Sequence, residues 1–329
     1  MASPFQRQTI VQPHWLTGSL MARRASDRFR LLDLTGSCLV LIAACAPSAP
    51  DQSVALVFGE RGLADGAFVY PRAIAAERNG SVFVVDKTGR VQRFSADGKF
   101  EMGWRMPEFA KGKPVGLTVH PDGRLFAADT HYHRVAVFNR DGRLLGTFGQ
   151  EGNGPGEFQL PTDVAIDANG NIFVSEYYGN DRVTKWSPEL RFVGVVTSGD
   201  IAGIPLRRPA GIDIDDEQTL WIADACNHRV IRMTLDGEVL LVFGGFGGEP
   251  GHMRYPYDLC VTPEQTILVC EYEGNRLQWF SKDGRSLKTW GQPGRGRGEL
   301  FAPWGATVGP RGRVYIVDSL NDRVQVMQP

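Results

Sequence analysis

Apolar and polar residues alternate in short runs along most of this chain. After Pro161 the run "TDVAIDANGNIFVSE" puts Val164 and Ile166 on one side of an extended segment, with Asp163 and Ala165 on the other. A two-residue period of this kind belongs to a strand whose two faces meet different surroundings. Related runs follow Pro71, Pro114, Pro209, Pro256 and Pro303, so the prolines fall at intervals of 43, 47, 48, 47 and 47 residues. An acid closes the second apolar run of each copy, at Asp86, Asp129, Glu176, Asp224, Glu271 and Asp318, with the same intervals. Two markers that keep step through six copies establish a repeat.

Each copy reads as four strands. They are the run after the proline, a second such as "IFVSE" or "LFAAD", a third such as "RVAVF" and a fourth such as "LLGTFG", separated by turns such as "DANGN" and "NRDGR". Antiparallel units of this length point to propeller blades, and the Gly and Pro in every copy exclude a helical solenoid. Gly116, Gly211 and Gly305 on first strands suit the crowded innermost position. The last copy stops at "RVQVMQP" after three strands, whereas "VALVFGERG" (54–62) matches the end of a copy with none before it. The N-terminal segment is therefore expected to complete the last blade, a closure that hides sheet edges. The fold class is all-β: a six-bladed β-propeller of four-stranded antiparallel blades over residues 53–329, read as a monomer.

The stretch "GQEGNGPGEFQLP" (149–161) taken alone would suit a loop cradling a phosphate. Its relatives "FGERGLADGAFVYP", "FGGFGGEPGHMRYP" and "WGQPGRGRGELFAP" precede other blades, so it reads as a connector.

The first 45 residues are set apart. "MARRASDRFR" (21–30) is basic, and "LTGSCLVLIAAC" (34–45) is apolar with a small-residue exit. That order makes a secretory signal, too short for a comfortable membrane span. "IAAC" also resembles a bacterial lipobox, which implies acylation at Cys45. Residues 1–20 read as an upstream extension ahead of Met21, and 46–52 as a tether. The expectation is a chain exported to the cell envelope and lipid-anchored, touching membrane only through that lipid.

"PTDVAIDANGNIFVSEYYGNDRV", "RPAGIDIDDEQTLWIADACNHRV" and "APWGATVGPRGRVYIVDSLNDRV" resemble the NHL-repeat family. The resemblance covers essentially all of 53–329 and implies a six-bladed propeller. Peptide-amidating lyases of that family (peptidylamidoglycolate lyases) hold zinc on histidines directly after the blade-start prolines. Those positions here are Arg72, Val115, Thr162, Ala210, Tyr257 and Trp304, none of them His. Tyr178 in "SEYYGNDR" matches the lyase's catalytic tyrosine, while the expected arginines stand as Lys87 and Ala225.

A formal net charge of -1 gives no electrostatic footprint for nucleic acid. The recurring acid and arginine, as in Asp129/Arg134, Asp224/Arg229, Glu271/Arg276 and Asp318/Arg323, read as structural pairs. His131 and His133 form an H-x-H, but His133 and His228 fill one repeat slot two blades apart, a poor basis for zinc. Asp163, Asp213 and Asp258 lie on consecutive innermost strands. They could hold a hard cation such as calcium at the channel or cap backbone N–H groups; otherwise no cofactor is expected. Cys260 and Cys270, on neighbouring strands, read as either a bridge or two buried thiols. Trp104, His131, Tyr132, Tyr177, Tyr178, His228, Phe246, Tyr257, Tyr272 and Trp304 are assigned to one loop face. Such aromatics suit a protein, peptide or glycan partner, with Tyr132, Tyr178, His228, Tyr257 and Trp304 as the binding set. The functional expectation is a binding or scaffold module. The alternative is a lyase or lactonase-type hydrolase acting at the central channel through Tyr178 and Asp163.

Overall fold

The structure, a computed structural model, describes residues 53–328. Cys45, the basic and apolar segments before it and the tether lie outside the described residues. The chain forms six four-stranded antiparallel sheets in a ring. Blade 3, for example, pairs Leu160–Ile166, Ile172–Tyr177, Arg182–Trp186 and Phe192–Ser198 in chain order. Two short two-stranded ladders sit in the connectors, at Asp200–Ile201 with Ile204–Pro205 and Gln292–Pro293 with Glu299–Leu300.

The last blade is built from both ends of the described chain. Val54–Phe58 lies antiparallel to Arg323–Met327, with Val57 opposite Gln325 and Phe58 opposite Val324. Leu56 and Phe58 then pack with Phe68, Ile74 and Phe94 of blade 1 and with Val324 and Val326. Closure by the N-terminal strand is thus a packing event as well as a hydrogen-bonded one.

The core is not a single mass. Each pair of neighbouring blades shares its own apolar cluster, such as Phe126, Val137 and Phe148 against Val164, Val174 and Trp186. This follows from the period of two: both faces of a blade's middle strands meet a neighbouring blade, so "VFVVD" and "LFAAD" are buried throughout. Trp104 belongs to this interior. Its ring lies 5.9 Å from Phe83 and 5.7 Å from Phe138, so it is not on the loop face, because its strand alternation turns it inward between blades 1 and 2.

The innermost strands crowd each other as the small residues imply. A Cβ on Gly211 would meet the Asp258 Cα at 2.7 Å, and one on Gly116 would meet the Thr162 carbonyl oxygen at 2.3 Å. Thr162 Oγ1 donates to the Pro209 carbonyl at 2.9 Å, and Ser175 Oγ to that of Ala210 at 2.7 Å, tying blade 3 to blade 4.

The glycine-rich connectors surround an arginine rather than an anion. Arg182 donates to the carbonyls of Asn153 (3.2 Å) and Glu157 (2.9 Å), while its Nε meets Glu176. Carbonyl oxygens turned inward receive a cation and would repel a phosphate. Gly149 opens this connector at φ +85°, where a Cβ would stand 2.3 Å from the Phe158 ring.

Each repeated acid is fully buried and paired with its arginine: Asp86–Arg90 at 2.6 Å, Asp129–Arg134 at 2.9 Å, and Asp224–Arg229, Glu271–Arg276 and Asp318–Arg323 at 2.7 Å. Most also accept a connector N–H, as Asp224 does from Arg207 at 2.9 Å and Asp318 from Phe301 at 2.7 Å. The different connector before Pro114 leaves Asp129 Oδ1 without a partner, and burial pushes that carboxyl up to about 6.

Candidate ligand site at the channel mouth

Pairing Pro71 with Asp86, Pro161 with Glu176 and Pro256 with Glu271 brings blade-start prolines and second-strand ends to one face. On this face, side chains beside the prolines converge on the ring axis. Tyr257 and Trp304, both directly after a proline, have ring centroids 4.6 Å apart. Tyr272 lies 5.7 Å from Trp304, Tyr70 lies 5.8 Å from it edge-on, and Tyr255 stacks on Tyr257 at 6.2 Å. Arg72 caps Trp304 at 4.6 Å, and Arg208 caps Tyr177 at 4.3 Å and Tyr257 at 5.6 Å. Tyr257 is 4% exposed and burial pushes its phenol up to about 12, so it is neutral at ordinary pH. Burial likewise lowers Arg72 from the ordinary arginine value. His131 faces the same region: burial lowers its pKa and the Arg72 charge adds to that.

Below the rings lies a cavity of about 160 Å³ lined from all six blades, including Ala73, Thr118, Asp163, Gly211, Tyr257 and Trp304. Asp213 and Asp258 line it too. Asp163 Oδ2 accepts from Ile212 N–H at 3.0 Å, Asp213 Oδ2 from Val261 N–H at 2.8 Å, and Asp258 Oδ2 from Ala306 N–H at 3.0 Å. Each aspartate therefore latches its own inner strand to that of the next blade. Burial raises all three, with the Asp258 charge adding to Asp163: Asp163 goes well up, Asp213 to about 6 and Asp258 to about 7. Among the described residues, no three His, Cys, Asp or Glu side chains converge as metal ligands. Of the two roles weighed for these aspartates, the observed contacts are the backbone caps.

The sequence-predicted binding residues divide. Tyr257 and Trp304 form the centre of the mouth. His228 is a latch instead: its Nδ1 accepts the Tyr255 N–H at 3.0 Å, and its ring sits 5.0 Å from Phe246. Asn275 Oδ1 does the same for Ala302 N–H at 2.7 Å and Asp322 Oδ1 for Tyr70 N–H at 2.6 Å, so this slot belongs to the repeat. His133 Nδ1 meets the Gln159 carbonyl, another structural contact. The Tyr132 hydroxyl receives Lys111 N–H at 3.1 Å, beside its own connector. Tyr178 is 73% exposed on the turn between its blade's second and third strands. It does not line the cavity that Asp163 lines, so these two residues are not brought together. Cys260 and Cys270 are free thiols: Cys270 lies opposite Asp258 and Cys260 opposite Leu268, a diagonal offset. Sequence reasoning missed Tyr70, Tyr255 and Arg208, directly before their prolines, and the part played by Arg72. Aligning the residues that flank each proline would have grouped them.

With this geometry in view, comparisons with known proteins place the chain among propellers. Family models match residues 112–183 as a "6-bladed beta-propeller" and 206–232 as an "NHL repeat". Protein brain tumor of Drosophila melanogaster is 27% identical over 133 residues, covering 40% of this chain and 12% of its own length. Peptidyl-glycine alpha-amidating monooxygenase B of Xenopus laevis is 29% identical over 180 residues, covering 50% of this chain and 19% of its own length. The matches thus span less than a fifth of either relative. A streptogramin B lyase structure superposes with a TM-score of 0.59 at 15% identity, covering 83% of this chain and 86% of that one, a likeness of fold.

Proposed function

We propose that this NHL-repeat propeller is an exported, lipid-anchored binding module that holds a protein, peptide or glycan partner at its channel mouth. One observation carries the reading. Side chains of all six blades line a single opening, where the tilted rings of Tyr257 and Trp304 lie 4.6 Å apart beside Arg72, Arg208 and further tyrosines. Clustered aromatic and arginine side chains are the residue types that dominate recognition surfaces. The export signal and the Cys45 lipobox supply the location.

Cross-linking through lysines tests the face. Lys87 and Lys111 lie on the mouth side, whereas Lys99 and Lys282 sit in turns at the opposite end of the strands. Partner cross-links from an envelope extract should map to Lys87 and Lys111, and links confined to Lys99 and Lys282 would contradict the reading. Labelling with a radioactive fatty acid, lost in Cys45→Ser, tests the anchor separately.

A further inference from the structure

We propose that the mouth recognises a carboxylate: Arg72 and Arg208 take an acid group, that of a partner's chain end or of a small organic acid, whose apolar body lies against Tyr257 and Trp304. This rests on the mouth being the binding face and adds the chemistry of what it binds.

The two arginines differ from those of the blades. Arg90, Arg134, Arg182, Arg229, Arg276 and Arg323 each hold a buried acid within 2.9 Å. Among the described residues, Arg72 and Arg208 have no carboxylate at ion-pair distance, and the Nε of each is buried without a hydrogen-bond partner. Leaving a buried charged donor unpaired is costly, so such a group is normally satisfied by a partner or a ligand.

Aromatic stacking does not satisfy them. The Arg72 and Arg208 guanidinium carbons lie 4.6 Å over the Trp304 ring and 4.3 Å over the Tyr177 ring, and although Arg208 also meets the Tyr257 hydroxyl, the Nε–H of each arginine is left without an acceptor. A carboxylate binds the N–H edges, in the plane of the guanidinium, and can do so while the rings remain stacked. The surroundings set direction as well. Asp163, Asp213 and Asp258 line the cavity beneath and offer an acid group no cation there, so the arginines at the mouth are where it is held. Apolar surface from Ala73, Tyr257 and Trp304 is left for the remainder of the ligand. A neutral carbonyl accepts a guanidinium N–H but brings no counter-charge to the cation.

Calorimetric titration of the propeller with benzoate and with benzamide tests this, since the two differ only at the acid group. Benzoate should bind and benzamide should bind at least about tenfold more weakly. Arg72→Gln and Arg208→Gln should each weaken benzoate by about tenfold or more, with melting temperature as the control for folding. The peptide Ala-Ala-Phe with a free end, compared with its amide, separates the sources of the carboxylate. Tighter binding of the free peptide than of benzoate assigns a chain terminus, and weaker binding assigns a small acid. Equal affinity for benzoate and benzamide, or benzoate binding that survives both arginine substitutions, overturns the carboxylate while leaving the mouth as a binding face. No benzoate binding at millimolar concentration overturns it too, and the lysine cross-links then judge the face independently. The benzoate–benzamide comparison needs no variant, so it stands even if a substituted protein fails to fold.

Discussion

The Arg72 guanidinium lies 4.6 Å over the ring of Trp304, joining the first blade to the last across the seam of the ring. These residues are 232 positions apart in sequence (304 less 72). They meet because Val54–Phe58 closes the sixth sheet against Arg323–Met327. The candidate site and the closure of the fold are therefore one structural fact. Removing residues 53–62 should expose the edge of Arg323–Met327 and unpack Phe58 from Phe94. The expected outcome is an aggregating protein with a lowered, broadened melting transition by calorimetry. An unchanged transition would mean the seam holds without that strand.

The repeated acid–arginine pairs should be among the costliest to break. Asp224 is fully buried and accepts from Arg229 Nε at 2.7 Å, Asn227 at 2.8 Å and the Arg207 N–H at 2.9 Å. Asp224→Ala strands a buried guanidinium and should lose about 3–5 kcal/mol in chemical denaturation. A loss under 1 kcal/mol, roughly the figure for a solvated pair, would show that the pair is not sealed from water.

Asp258 gives the axis a pH dependence. Its folded-state carboxyl lies above the ordinary value, at about 7, because of burial. The folded protein thus holds that proton more tightly than the unfolded one, and this group's contribution to stability falls as pH rises from about 4 to about 7. Asp258→Asn removes the titration while keeping an oxygen for the Ala306 N–H. Relative to wild type, the variant should gain about 1–2 kcal/mol between about pH 5 and about pH 8, the full shift being reduced by water in the channel. A difference independent of pH would show that Asp258 titrates normally.

The slot occupied by His228 can be exchanged. His228→Ala removes the acceptor of a half-buried N–H and should cost about 1–2 kcal/mol. His228→Asn should recover most of that loss, because Asn275 fills the equivalent slot and Asn tolerates the φ of +57° found here. Equal losses in both variants, measured by thermal denaturation, would mean that the Tyr255 N–H contact contributes nothing.

What the sequence revealed follows from what the repeat repeats. Prolines at strand starts, acids at strand ends and the unmatched "VALVF" run recur or pair by period, so blade number and closure were legible before any coordinates. The mouth was only half legible. Tyr257 and Trp304 are large aromatics directly after a repeat proline, but the positions of Tyr70, Arg72, Arg208 and Tyr255, although periodic, change residue type from blade to blade. Their meaning arises when six unlike residues meet at one axis. Asp163, Asp213 and Asp258 show the opposite limit. Their shared place on inner strands was visible, yet which backbone N–H each one caps depended on the stagger between neighbouring blades. Trp104 was misplaced because loop proximity was read where strand alternation decided.

The most direct measurement is comparative capture of the partner from an envelope extract. It uses the wild-type chain, Trp304→Ala and Arg208→Gln at the mouth, and Asp122→Ala in an exposed turn at the opposite end of the strands. Capture should fall at least about tenfold for both mouth variants and stay at the wild-type level for Asp122→Ala. Undiminished capture by folded mouth variants, with loss in Asp122→Ala, would move the functional surface to the other face.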